Sequence, residues 1–129
     1  MQLKLKKTDG NVDYLIFSEG AEKWAEYIHK QGGRNKNKSS QLRKFYDEFV
    51  KLNQRSAAYS DNDWQKVILP QLHMLIPKVV YAGGRKLVTT EFEDFIKQLV
   101  NQVKSKQDLK IATNFFEAFV GFYRRYGDK

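Results

Sequence analysis

The residues best equipped to do chemistry in this chain are cations. Arg34, Lys36, Lys38, Arg43 and Lys44 crowd the stretch GGRNKNKSSQLRKFYDEF, Gly32 to Phe49, with Lys30 just before it and no acid until Asp47. Positive charge near a helix N-terminus opposes the helix dipole and the free N–H groups there. A bound phosphate would relieve that conflict. A linker over residues 32–40, rich in Gly, Ser and Asn, can wrap its cations onto a phosphate chain while the helix start adds backbone donors. The structural alternative is a solvated, disordered surface loop. A second group is YAGGRK, Tyr81 to Lys86. Its glycines allow close approach, Arg85 can fork onto phosphate beside Lys86, and Tyr81 can stack on a base. Alternatively the glycines stop a helix, Arg85 is solvated and Tyr81 belongs to the core. The third group, YRRYGDK, places Arg124 and Arg125 near a helix C-terminus, where cations are favoured for structural reasons alone.

Catalytic patterns are missing. There is no cysteine, which removes disulfides, thiolate zinc sites and thiol nucleophiles together. His29 and His73 fall on different predicted helices and form no metal-ligand cluster. Asp61 and Asp63 have capping context without the spacing of a calcium loop. AGGRK lacks the glycine pattern and the strand-to-helix setting of a phosphate-cradling loop. Ser39 and Ser40 have no base near them in sequence. The expectation is a protein that is not an enzyme and uses no cofactor or metal.

The bulk properties fit a binder. The formal net charge of +8 and an isoelectric point near 9.6 steer the chain toward polyanions. The residues are 41% hydrophobic and 29% charged, a globular balance, and 129 residues suit one domain spanning 1–129. No base-reading motif is present, which argues for contact with a nucleic-acid backbone rather than sequence readout. No secretion signal and no membrane-spanning run is legible, so the chain is expected to be cytoplasmic and free of membrane.

Helices must position these cations. Residues 1–18 read as irregular or partly extended, with YLIF at Tyr14 to Phe17 docking on the core. A helix begins after Ser18, carries Glu19 and Glu22 early, buries Trp24, Tyr27 and Ile28, and stops at Gly32-Gly33. Ser39 or Ser40 can cap the next, whose Leu42, Phe45, Phe49 and Leu52 form one face. It fades near Arg55 to Ala58. YSDND caps a third, which Pro70 and Pro77 kink or split near Pro70. Thr89 or Thr90 can cap a fourth, Thr90 with Glu93 having capping-box spacing, and Phe92, Phe95, Leu99 and Val103 mark its buried side. After KSKQD a last helix carries Leu109, Ala112, Phe116, Phe119, Tyr123 and Tyr126 and stops at Gly127. Its aromatics occupy more than one stripe. Phe115 belongs with the core set by spacing, yet Phe115, Phe122 and Tyr126 also make a second stripe that is expected to face a partner subunit. The fold class that follows is all-α, a compact bundle of about five helices.

Three stretches occur in an order that resembles one family. SSQLRKFYDEF at Ser39 to Phe49, PKVVYAGGR at Pro77 to Arg85 and FFEAFVGFYRRYG at Phe115 to Gly127 resemble the small subunit of type III-A CRISPR effector complexes, the Csm2 family, over roughly Ser39 to Gly127. The related small subunit of type III-B complexes fits these stretches less well. The resemblance implies a helical bundle that stacks in several copies beside the guide-holding subunits and helps shape the channel where target RNA pairs with guide RNA. It implies no nuclease role, since cleavage belongs to larger subunits. The implied partners are the other complex subunits, further copies of this chain, target RNA and guide RNA. Arg43 and Arg85 carry over within their motifs as RNA contacts. Lys44, Lys86, Arg34, Lys36 and Lys38 join them as candidates. Two other readings stay open: a free-standing nucleic-acid binder, and a purely structural subunit without RNA contact.

Overall fold

The computed structural model describes residues 1–127. Its six helices are α1 (Glu19–Gly32), α2 (Ser39–Ser56), α3 (Asp61–His73), α4 (Leu75–Gly84), α5 (Thr90–Asn101) and α6 (Lys106–Tyr123), with 3-10 turns at Tyr14–Phe17 and Arg124–Tyr126. Helices α3 and α4 are joined through the single residue Met74, so counting them as one leaves the five helices that the periodicity predicts. The fold is all-α. Among the described residues the β-pairing is limited to an isolated bridge between Lys6 and Val12. Among them, too, no helix is long and apolar enough to cross a membrane.

The helix break lies at Met74 rather than at Pro70. Pro70 sits inside α3, and α3 runs three residues past it. The stop comes from Pro77, whose ring conflicts with the carbonyl of His73, the last residue of α3. In α4 itself Pro77 falls in the first turn, where its missing N–H has no intrahelical partner to lose.

One buried cluster holds the helices together, with Phe95 of α5 near its centre. The Phe95 ring lies 4.7 Å from Phe119, 5.3 Å from Trp24 and 5.5 Å from Phe116, centroid to centroid. These tilted and edge-on arrangements suit aromatic quadrupoles and add to the apolar area removed from water. Phe115 belongs here as well: it is 1% exposed, so the expectation that it faces a partner is corrected in favour of the core. Buried polar groups are matched where α2 meets α3. The Trp64 indole N–H donates to Ser56 Oγ (2.8 Å), which in turn donates to the Leu52 carbonyl (2.7 Å), tying the end of α2 to α3.

Of Tyr14 to Phe17, expected to dock, Ile16 is buried and Phe17 packs partly against the core, while Tyr14 and Leu15 are exposed. The N-terminal segment is held chiefly by residues further upstream. Leu3 and Leu5 are buried, and two glutamines of α5 and its C-cap take the place of a neighbouring strand. Gln98 Oε1 accepts from the Leu3 N–H (2.6 Å) while its Nε2 donates to the Met1 carbonyl (3.0 Å). One turn later Gln102 Oε1 accepts from the Leu5 N–H (2.9 Å) and its Nε2 donates to the Leu3 carbonyl (2.7 Å). The i, i+4 spacing of two amides thereby satisfies an extended backbone that has no sheet.

Two helix caps, at Ser60 and Thr89, fall where the sequence signals them, the one at Ser105 is not anticipated by it, and two expected capping arrangements are absent. Ser60 caps α3, Thr89 caps α5 and Ser105 caps α6, each accepting a backbone N–H. Because Thr89 is the cap, Thr90 lies inside α5 and the expected Thr90–Glu93 box does not form. For α2 the N-cap is Lys38, whose side chain cannot accept a hydrogen bond, so neither Ser39 nor Ser40 caps it. Ser39 Oγ instead donates to the Gly127 carbonyl (3.3 Å).

Candidate nucleic-acid interface

The basic linker is anchored, not disordered. Its anchor is Asn37, which is 2% exposed and sits in the left-handed region at φ 56°, a conformation asparagine tolerates better than most residues. Asn37 Nδ2 donates to the Ile28 carbonyl of α1 (3.0 Å) and to Thr89 Oγ1 (2.9 Å). Its Oδ1 accepts from the Thr89 N–H (2.9 Å), and its own N–H donates to the Leu87 carbonyl (3.0 Å). The Tyr123 hydroxyl of α6 donates to the Asn37 carbonyl. The preceding glycines make room: a Cβ on Gly32 would lie 2.9 Å from the Asn37 Cβ, and Gly33 turns the chain at φ 60°.

This junction brings together stretches that are far apart in sequence. The linker pairs through Asn37 with residues 87–89, just beyond YAGGRK. The C-terminal ends of α1, α4 and α6 and the N-terminal ends of α2 and α5 therefore meet at one end of the bundle. Arg34, Lys38, Arg43, Lys44, Arg85 and Lys86 line this end with Lys36, and most of these side chains are exposed. Among the described residues none of these seven lies within ion-pair distance of a carboxylate. Their charge is available to an outside anion. Arg125, by contrast, is held 3.1 Å from Glu22.

Three clefts divide the cations. Between α2 and α4, a cleft of about 240 Å³ is lined by Lys44, Glu48, Lys78, Tyr81 and Arg85 among others. It continues along α2 and the α3–α4 junction into a groove of about 380 Å³ that shares Glu48, Leu75 and Lys78 and adds Lys51 and Arg55. A second cleft, about 230 Å³, is lined by Arg34, Lys36, Lys38, His29 and Tyr126. Arg43 and Lys44 are adjacent in sequence but point to different neighbours. Arg43 shares a small third cleft with Ser39, Val120 and Arg124 on the α6 side. Arg43 and Arg85, which the resemblance paired, thus line different clefts.

The α2–α4 cleft follows from the pattern of α4. Leu75, Val79 and Ala82 turn inward, while Lys78, Tyr81 and Arg85 occupy the other face at spacings of three and four. Tyr81 is 68% exposed, so the core alternative for it is removed. Sequence reasoning passed over Lys78, although its spacing from Tyr81 and Arg85 marks it. Asn37 escaped for a different reason: within GGRNKNK it reads as one more polar loop residue, and its partners are distant in the chain.

The aromatic stripe is mostly spoken for. Tyr126 is half-buried and its ring stacks on His29 at 3.9 Å between centroids, so it closes the bundle end instead of presenting a free face. Phe122 is half-buried with the Arg125 guanidinium 5.6 Å from its ring centroid. Among the described residues no group of three or more His, Cys, Asp or Glu is placed to hold a metal ion.

The family model described as Csm2 Type III-A matches residues 13–129. No curated protein matches the chain, and no solved structure does. A match over nearly the whole length, on an all-α bundle of the expected helix count, identifies the family: the chain belongs to the Csm2 family and is a non-catalytic small subunit of a type III-A CRISPR complex.

Proposed function

We propose that this subunit lines the guide–target channel of its complex and contacts the target RNA backbone with the cations gathered at the Asn37 end. In that arrangement copies pack in a row against one another and against the neighbouring subunits. The observation that supports the reading is the junction itself: it sets two basic stretches side by side, and none of the seven cations named there is neutralised by an ion pair among the described residues. Solvated Lys and Arg on one end of a rigid scaffold suit phosphate contact without sequence readout. Lys44 and Arg85, which share a cleft, are the leading contacts; Arg43, Lys86, Arg34, Lys36 and Lys38 flank them. Phe122 is the remaining candidate for packing against a neighbour.

Photocrosslinking of the assembled complex to a target RNA tests this, with the attached peptides identified by mass spectrometry. Crosslinks are expected in the peptides that carry residues 34–44 and 78–86. Crosslinks confined to other subunits, with this chain fully assembled, would favour a purely structural role.

A further inference from the structure

We propose that Tyr81 is a base-stacking platform, so that the α2–α4 cleft takes an unpaired nucleotide of a single RNA strand and not duplex alone. The proposal rests on the reading of this cleft as an RNA contact and adds the base to the backbone. Tyr81 is 68% exposed on a helix whose inward residues Leu75, Val79 and Ala82 are at most 8% exposed. Leaving a tyrosine ring in water forgoes the apolar burial that normally accounts for an aromatic side chain. Here the ring stands among cations. The Arg85 guanidinium lies 6.0 Å from its centroid, and Lys44 and Lys78 line the same cleft. An aromatic face flanked by three cations is the pairing of features that grips a single strand: the base stacks, and the neighbouring phosphates meet the charges. Glu48 is also in the lining, but Lys44, Lys78 and Arg85 outnumber it and Lys51 lies 3.9 Å from its carboxylate, so the cleft stays net positive. In a regular duplex both faces of each internal base are already covered by its neighbours, so stacking on Tyr81 requires a base out of the stack. The other strongly exposed tyrosine, Tyr14 at 78%, sits on the N-terminal 3-10 turn outside this cleft and serves as a control.

The test uses the full-length chain at low salt and two probes read by fluorescence anisotropy. One is an oligoadenylate RNA of about twelve nucleotides, long enough to span a site of this kind, and the other is the same strand with every base removed. The wild-type chain should hold the base-bearing strand about tenfold more tightly, the effect of roughly one stacked base. Tyr81→Ala should abolish that ratio, Tyr81→Phe should keep it, and Tyr14→Ala should leave it unchanged. A wild-type chain without preference for bases, or a Tyr81→Ala chain that retains the preference, would overturn the stacking role. The double variant Lys44→Ala/Arg85→Ala separates this failure from that of the cleft itself. Equal weakening toward both probes keeps the backbone contact, and no weakening toward either removes the cleft from RNA binding altogether.

Discussion

At the scale of residues, Asn37 does the most with a single side chain. Replacing it with Ala removes three side-chain hydrogen bonds, orphans the Thr89 N–H in a buried site, takes a donor from the Ile28 carbonyl, and leaves a Cβ-bearing residue at φ 56° with no polar compensation. A loss of about 2 to 4 kcal/mol is expected, measurable by urea unfolding. Asp108 gives a second residue-scale prediction. Burial alone would raise its carboxyl, but the Lys6 ammonium 2.5 Å from Oδ1, the Lys104 N–H and the Ser105 hydroxyl together hold it below the ordinary 3.8. A carboxyl depressed in the folded state contributes stability above its unfolded value, and that contribution disappears as pH falls through the folded one. The stability advantage of the wild type over Asp108→Asn should therefore be constant near neutrality and shrink below about pH 4. An advantage unchanged at about pH 3 would show that the ion pair does not set it.

At the scale of elements, the periodic helices were legible from sequence and the joints between them were not. The inward faces of α2 and α5 follow directly from Leu42, Phe45, Phe49 and Leu52 and from Phe92, Phe95 and Leu99, because spacing of three and four encodes burial. The joints depend on partners distant in the chain. The linker reads as polar and mobile until Asn37 finds Thr89, and the N-terminal segment reads as irregular until Gln98 and Gln102 supply its missing strand. Phe115 shows the limit of stripe counting: α6 is surrounded on more than one side, so Phe115 of the second aromatic stripe is core as well. Phe115→Ala should accordingly cost about 3 to 5 kcal/mol in the isolated chain, read by chemical denaturation. A stable variant that fails only in assembly would return this residue to the interface. The glutamine clamp makes a local prediction. Gln102→Ala should strip hydrogen-exchange protection from the Leu5 amide while leaving the α6 amides protected. Simultaneous loss of both would mean that the N-terminal segment folds as one unit with the bundle.

At the scale of the whole molecule, a net charge of +8 announced a polyanion partner but could not say where the partner lies. The fold collects five helix ends at one pole with cations around them, and that pole is the contact we propose. Arg43 and Arg85, both named through the family resemblance, line different clefts, while Lys44 and Lys78 join Arg85 through helix packing. The most direct measurement is the affinity of the reconstituted complex for target RNA across a range of salt concentrations, for the wild type and for Lys44→Ala/Arg85→Ala, with assembly followed by size-exclusion chromatography. Intact assembly is expected, with weaker target binding and a salt slope shallower by about 0.7 for each phosphate that is no longer neutralised. Unchanged affinity and slope in a fully assembled complex would contradict RNA contact at this pole.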